Sequence, residues 1–175
     1  LGLQVVGTES DGRVYLKADD EFDRHSLILR PADEAGMDYM GFKVSDDVAL
    51  EGFRTKLTEY GLTVSTVEAG EQPGVGRRVR FIAPTGHMFD LYSEMELSAN
   101  GPPTDQPDIY VEPPRGMAAI RFDHCLLYGQ DIDATERVFV DVLGFKRSEF
   151  AHAPGDPDET IAIFITCSNK AHDLA

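Results

Sequence analysis

The chain has 175 residues, 42% hydrophobic and 27% charged, which is the composition of a globular protein with enough apolar residues for a core. A net charge of −15 would repel nucleic acid or an anionic membrane surface, and no apolar run approaches the length of a membrane span. Cys125 and Cys167 are too few for a disulfide scaffold; each lies in an apolar run and reads as a buried free thiol. No signal-peptide pattern opens the chain, so the cytoplasm is the expected location. It begins Leu1-Gly2-Leu3 rather than with methionine and stops at Ala175 as a strand begins, so both ends read as cut.

Leu3 to Thr8 and Arg13 to Ala18 flank Ser10-Asp11-Gly12, the signature of a hairpin. His25 to Leu29 is expected as a third strand, closed by Arg30-Pro31, and Tyr39 to Val44 as a fourth. Asp46-Asp47 then offers helix caps. Val48, Leu50, Phe53, Leu57 and Tyr60 fall near helical spacing, and Gly61 stops the helix. Strands are predicted at Leu62 to Val67, Arg78 to Ala83 and His87 to Ser93. Residues 94 to 116 hold five of the ten prolines and read as an extended linker. Pattern resumes with a strand from Ala118 to Tyr128. A helix follows with Asp133 and Glu136 as a capping box, Val138, Phe139, Val142 and Leu143 as its apolar stripe, and Gly144 at its end. Phe145 to Phe150 is the next strand, His152 to Glu159 an acidic loop, and Thr160 to Thr166 a final strand.

The order strand–helix–strand–strand–strand recurs. Met40 to Ser93 shows it whole, Ala118 onward shows it until the chain stops, and residues 1 to 30 show its last three strands. Leu1-Gly2-Leu3 echoes Leu143-Gly144-Phe145, and His25-Ser26-Leu27 echoes His172-Asp173-Leu174. A repeat of about fifty residues governs the choice of fold. The expected fold is α+β: paired βαβββ modules whose strands curl into partly open, barrel-like cups.

Several stretches are similar to the catechol 2,3-dioxygenases, extradiol enzymes of the vicinal oxygen chelate superfamily. They are Gly12 to Ala18 (GRVYLKA), Met40 to Val44 (MGFKV), Gly76 to Phe81 (GRRVRF), Arg121-Phe122-Asp123-His124 with Leu127-Tyr128-Gly129, and Lys170-Ala171-His172-Asp173. They run over essentially the whole chain in order. The resemblance implies that residues 1–93 are an N-terminal dioxygenase domain lacking its first strand and helix, 94–116 a linker, and 117–175 the first module of a catalytic C-terminal domain. It further implies O₂-dependent meta cleavage of catechol or substituted catechols to a 2-hydroxymuconic semialdehyde, a homotetramer, and a 175-residue chain that is inactive by itself.

Alternation puts Ile120, Phe122, His124, Leu126 and Tyr128 on one strand face. From the pattern alone a hydrogen-bonded core histidine is preferred over a ligand for His124. The resemblance reverses this, because that strand matches the one carrying the first ligand of a non-haem Fe(II); the other ligands, a His and a Glu, are expected beyond Ala175. His172 resembles the family's acid/base histidine, a role suited to a group titrating near neutrality. Asp90 and His87 read as relics of a duplicated site with no histidine to complete it, His25 as the repeat partner of His172, and His152 as solvated. Two rival readings stay open: a glyoxalase-like metalloenzyme without oxygen chemistry, and a metal-free small-molecule binding module.

Overall fold

The structure, a computed structural model, describes residues 1–98, 116–117 and 119–175. Most of the proline-rich stretch read as a linker lies outside the described residues. The chain forms two compact units: residues 1–36, 73–75 and 95–122 make one, and residues 37–72, 76–94 and 123–175 the other.

The first unit is built on a three-stranded antiparallel sheet, β1 (Gln4–Thr8), β2 (Val14–Lys17) and β3 (Leu27–Leu29), in sequence order. The expected hairpin is present. Gly12, at φ 91°, turns the chain, and the Gly12 N–H donates to the Glu9 carbonyl at 3.0 Å. Tyr15, Ala18 and Val75 are its buried apolar residues. His25 precedes β3 rather than starting it, and packs edge-to-face on Tyr15 with ring centroids 4.8 Å apart.

The second unit holds the complete βαβββ module: β4 (Met40–Lys43), α1 (Asp47–Glu59), β5 (Val64–Val67), β6 (Arg78–Ile82) and β7 (Met88–Tyr92). Its sheet runs β4-β7-β6-β5, open, with β4 parallel to β7 and the remaining pairs antiparallel. Asp46 caps α1 by accepting from the Ala49 N–H at 2.8 Å. Leu50 and Leu57 are buried with Phe53 packed beside them; Val48 and Tyr60 are exposed, so the apolar stripe is narrower than its spacing suggested.

Three expectations for the remaining segment are corrected. The strand expected from Ala118 to Tyr128 is not formed over its described residues, 119–128. Cys125 instead makes an isolated parallel bridge to Leu174, with backbone hydrogen bonds running from Cys125 and Leu127 to Asp173 and Ala175. The second helix, α2 (Ile132–Arg137), starts at Asp131 in a left-handed conformation with no side-chain cap, so Asp133 sits in the first turn and caps nothing; a π-helical turn, Val138–Val142, continues it. The acidic stretch 152–159 is not a loop. β8 (Lys146–Ala153) and β9 (Asp156–Thr166) run through it as a hairpin turned by Pro154-Gly155, with Gly155 at φ 88°. Most of its acidic residues are on exposed strand, where charge costs little, so composition misled while the Pro-Gly pair marked the turn.

The unit's core is one aromatic cluster to which both modules contribute. Phe139 lies 5.0 Å from both Phe89 and Phe145, Phe81 stacks on Phe89 at 5.5 Å, and Phe42 meets Phe145 edge-on at 5.2 Å. Val79, Leu91, Val138, Ile163, Ile165 and Leu174 fill around it.

Candidate functional site

The ladder between Cys125–Leu127 and Asp173–Ala175 repeats, in register, the β4–β7 pairing. The Leu127 N–H donates to the Ala175 carbonyl at 2.8 Å as the Val44 N–H donates to the Tyr92 carbonyl at 2.8 Å, and Cys125 faces Leu174 as Phe42 faces Leu91. Superposing the registers equates His124 with Gly41, His172 with Phe89 and Asp173 with Asp90. Parallel pairing of a module's first and last strands thus brings His124 and His172 together although 47 residues separate them (172 − 124 − 1).

Their rings meet edge-to-face, centroids 4.5 Å apart and planes at 74°, and His172 also packs on Phe164 at 5.2 Å. His124 is exposed, as are Phe122, Leu126 and Tyr128, while Cys125 and Leu127 turn to the core. The alternation was therefore read correctly, but the apolar face bearing His124 is not the core face. His124 donates from Nδ1 to Asp123 Oδ2 at 2.7 Å, which leaves Nε2 as the lone-pair nitrogen. That hydrogen bond is the leading cause that holds the Asp123 carboxyl below the usual carboxylate range.

Asp173 is buried. Burial disfavours its charge, but Lys170, the Thr166 hydroxyl at 2.8 Å, the Cys167 N–H at 2.9 Å and the Ser168 hydroxyl at 3.1 Å outweigh this and hold it far below the ordinary value. Burial raises the Cys125 thiol, and burial together with the Asp173 charge raises that of Cys167. Neither sulfur is an activated nucleophile. Cys167 is exposed, against expectation, because it sits just past the end of β9.

Asp90 is not the lone carboxylate read from the sequence. It is fully buried and accepts from Arg78 Nη1 at 2.9 Å and from Arg80 Nε and Nη2 at 2.7 and 2.8 Å. Tyr39 lies against both guanidiniums, whose carbons are 5.4 and 4.8 Å from its ring centre, and Arg78 also pairs with Glu71. Burial raises the Tyr39 phenol. His87 makes a 3.1 Å contact with the Thr85 hydroxyl, and His152 lies exposed on β8 against Phe150.

Tight Fe(II) binding by two imidazoles and a carboxylate requires three donors to converge. Among the described residues no three of His, Cys, Asp and Glu do so. His124 offers one donor atom, with Asp123 occupied at the other side of the ring, so the described residues do not amount to a complete metal site. Among them, too, no helix is long and apolar enough to cross a membrane. The sequence missed Asp123 as the partner of His124 and Lys170 as the bridge from Asp123 to Asp173; the Phe89-Asp90-Leu91 echo of His172-Asp173-Leu174 was the available signal for the buried aspartate.

The βαβββ repeat with its parallel first-to-last strand pairing is the vicinal oxygen chelate fold, as found in glyoxalase-type dioxygenases. Residues 37–96 match the catechol 2,3-dioxygenase-like N-terminal domain family. The chain is 45% identical to metapyrocatechase of Pseudomonas sp. strain CF600, over its full length and 57% of that protein. It is 27% identical to a manganese-dependent 2,3-dihydroxybiphenyl 1,2-dioxygenase of Geobacillus genomosp. 3, over 86% of this chain and 48% of that one. The solved structure of the 2,3-dioxygenase LapB from Pseudomonas sp. KL28 superposes with a TM-score of 0.93 at 42% identity, covering 99% of this chain and 60% of that one. By sequence and fold the chain is similar along its whole length to the catechol 2,3-dioxygenases, and it spans between about half and three-fifths of the length of these relatives.

Proposed function

We propose that the protein is an extradiol ring-cleaving dioxygenase that opens catechol or a substituted catechol with O₂, giving a 2-hydroxymuconic semialdehyde, in aromatic catabolism. The observation that carries this reading is the contact of His124 with His172 in a chain similar over its whole length to metapyrocatechase. Fe(II) is the proposed metal and His124 one of its ligands, through Nε2; the remaining donors are not among the described residues. A relative named for manganese makes metal identity part of the test.

His172 is assigned the proton traffic. It accepts a proton from a catechol hydroxyl and returns one as the ring opens, the two directions of general acid–base catalysis by one side chain. Edge-to-face contacts with Phe164 and His124 restrict its ring. Cytoplasmic location and a homotetramer complete the proposal, along with the division of the chain at residues 94–116 into an N-terminal domain and the start of a catalytic one.

The test is oxygen uptake by the native protein, loaded anaerobically with Fe(II) or Mn(II) and then given catechol. Equimolar consumption of O₂ and catechol, with ¹⁸O from labelled O₂ at both new oxygen positions, is the expected result. Turnover without oxygen uptake would instead establish the glyoxalase-like reading, and binding without turnover the metal-free one.

A further inference from the structure

His172 is flanked by two charged residues that tie its loop down. Lys170 Nζ lies 2.9 Å from Asp173 Oδ1, which anchors it to the buried carboxylate. The same ammonium donates to the backbone carbonyl of Asp123 and lies 3.5 Å from Asp123 Oδ1. Asp123 in turn holds His124 at Nδ1, and the His124 ring touches His172. Asp173, Lys170, Asp123, His124 and His172 therefore close a ring of contacts between the loop after β9 and the segment carrying His124. Lys170 is its single cross-link carrying positive charge.

An exposed ion pair adds only about 0–1 kcal/mol to stability. Lys170 is half-buried and spans two carboxylates of opposite segments, so its effect is on geometry: it fixes how far the loop stands from the His124 segment. Displacing a proton-transfer group by about 1 Å can cost up to a hundredfold in rate. Burial works against the charge on Lys170, but Asp173 and Asp123 more than restore it and raise its pKa, so the cross-link persists at neutral pH.

We propose that Lys170 is a positioning residue, a latch that sets the His172 ring against His124 by bridging Asp173 to Asp123. This rests on the reading of His172 as the proton-transfer group. Nothing in the register requires a lysine here: the corresponding residue of the complete module is His87, which contacts Thr85 and bridges no carboxylates. The latch is a feature of the module that carries the two histidines.

The experiment compares native protein with Lys170→Met and Lys170→Arg. The measurements are metal content, melting temperature, kcat and KM for catechol, and the rate at which diethyl pyrocarbonate acylates His172, mapped by peptide mass spectrometry. Lys170→Met is expected to keep its metal, melting temperature and KM, to lose about tenfold in kcat, and to acylate His172 several-fold faster. Lys170→Arg, which keeps the bridging charge, should recover most of both. Unchanged kcat together with an unchanged acylation rate in Lys170→Met would overturn the latch. If native protein cleaves no catechol, the proposed activity fails, while the acylation rates still decide the latch. Should Lys170→Met not fold, Lys170→Ala removes the ammonium at a half-buried position, and the same acceleration at His172 is required of it.

Discussion

The two modules of the second unit solve one structural problem with different residues. Each pairs its first strand in parallel with its last and buries an aspartate at the same register position, Asp90 in one and Asp173 in the other. In the complete module the aspartate is held by two arginines, the residue before it is the core phenylalanine Phe89, and a glycine, Gly41, stands opposite. In the other module the aspartate is held by a lysine and hydroxyls, the residue before it is His172, and His124 takes the glycine's place. The buried carboxylate thus belongs to the architecture of the module, and the two modules differ by the two histidines beside it.

Exchanging these features one at a time tests that view. The largest effect is expected from His124→Ala in the native protein, the nearest approach to Gly41 that keeps ordinary strand backbone: metal retention and ring cleavage should vanish together, read by metal analysis and oxygen uptake. Retained iron with full activity would remove His124 from the site. His172→Phe copies Phe89. It should keep metal and anaerobic catechol binding but lose turnover by about a hundredfold, the contribution of a positioned proton-transfer group. Loss of metal in this variant would make His172 structural or a ligand.

On the other side of the comparison, Arg78→Met leaves Asp90 with only part of its compensation inside the core. A loss on the order of 3 kcal/mol is expected in chemical denaturation, and little change in stability would mean that Arg80 suffices. A smaller, pH-dependent effect is expected at Asp173. Its folded pKa lies below the unfolded value of about 3.9, so the stability it contributes is present above that pH and fades as pH falls below it. Asp173→Asn should therefore flatten the acid limb of the stability profile, and an unaltered limb would contradict the stabilisation of its charge by Lys170 and its hydrogen bonds. The smallest response is expected from anaerobic Fe(II) titration of the 175-residue chain, which should reveal no tight site, with Asp90→Ala indistinguishable from wild type.

The module order, the repeat and the fold were legible because strand and helix periods alternate cleanly and Gly61, Gly86 and Gly144 punctuate them. The His124–His172 contact was legible only through family resemblance, since neither residue signals the other in sequence. The pairing of Asp90 with Arg78 and Arg80 was not read, although alternation places both arginines on one face of β6 and antiparallel pairing sets Arg80 opposite Asp90. The acidic hairpin of β8 and β9 was missed because loop-like composition carries no penalty on a strand exposed on both faces. The capping box failed because Asp131, two residues earlier, had already started the helix.

The phenylalanine cluster has a consequence for how the molecule reaches this state. Phe42, Phe81 and Phe89 all pack on Phe139, and Phe42 also on Phe145, so their packing awaits synthesis of a segment distant in the chain. Contacts of such long sequence separation close slowly. On the ribosome Phe42, Phe81 and Phe89 emerge before the π-helical turn that carries Phe139, the ring that completes their cluster. Because both modules share this core, a destabilising change in either is expected to lower a single melting transition, which calorimetry would check.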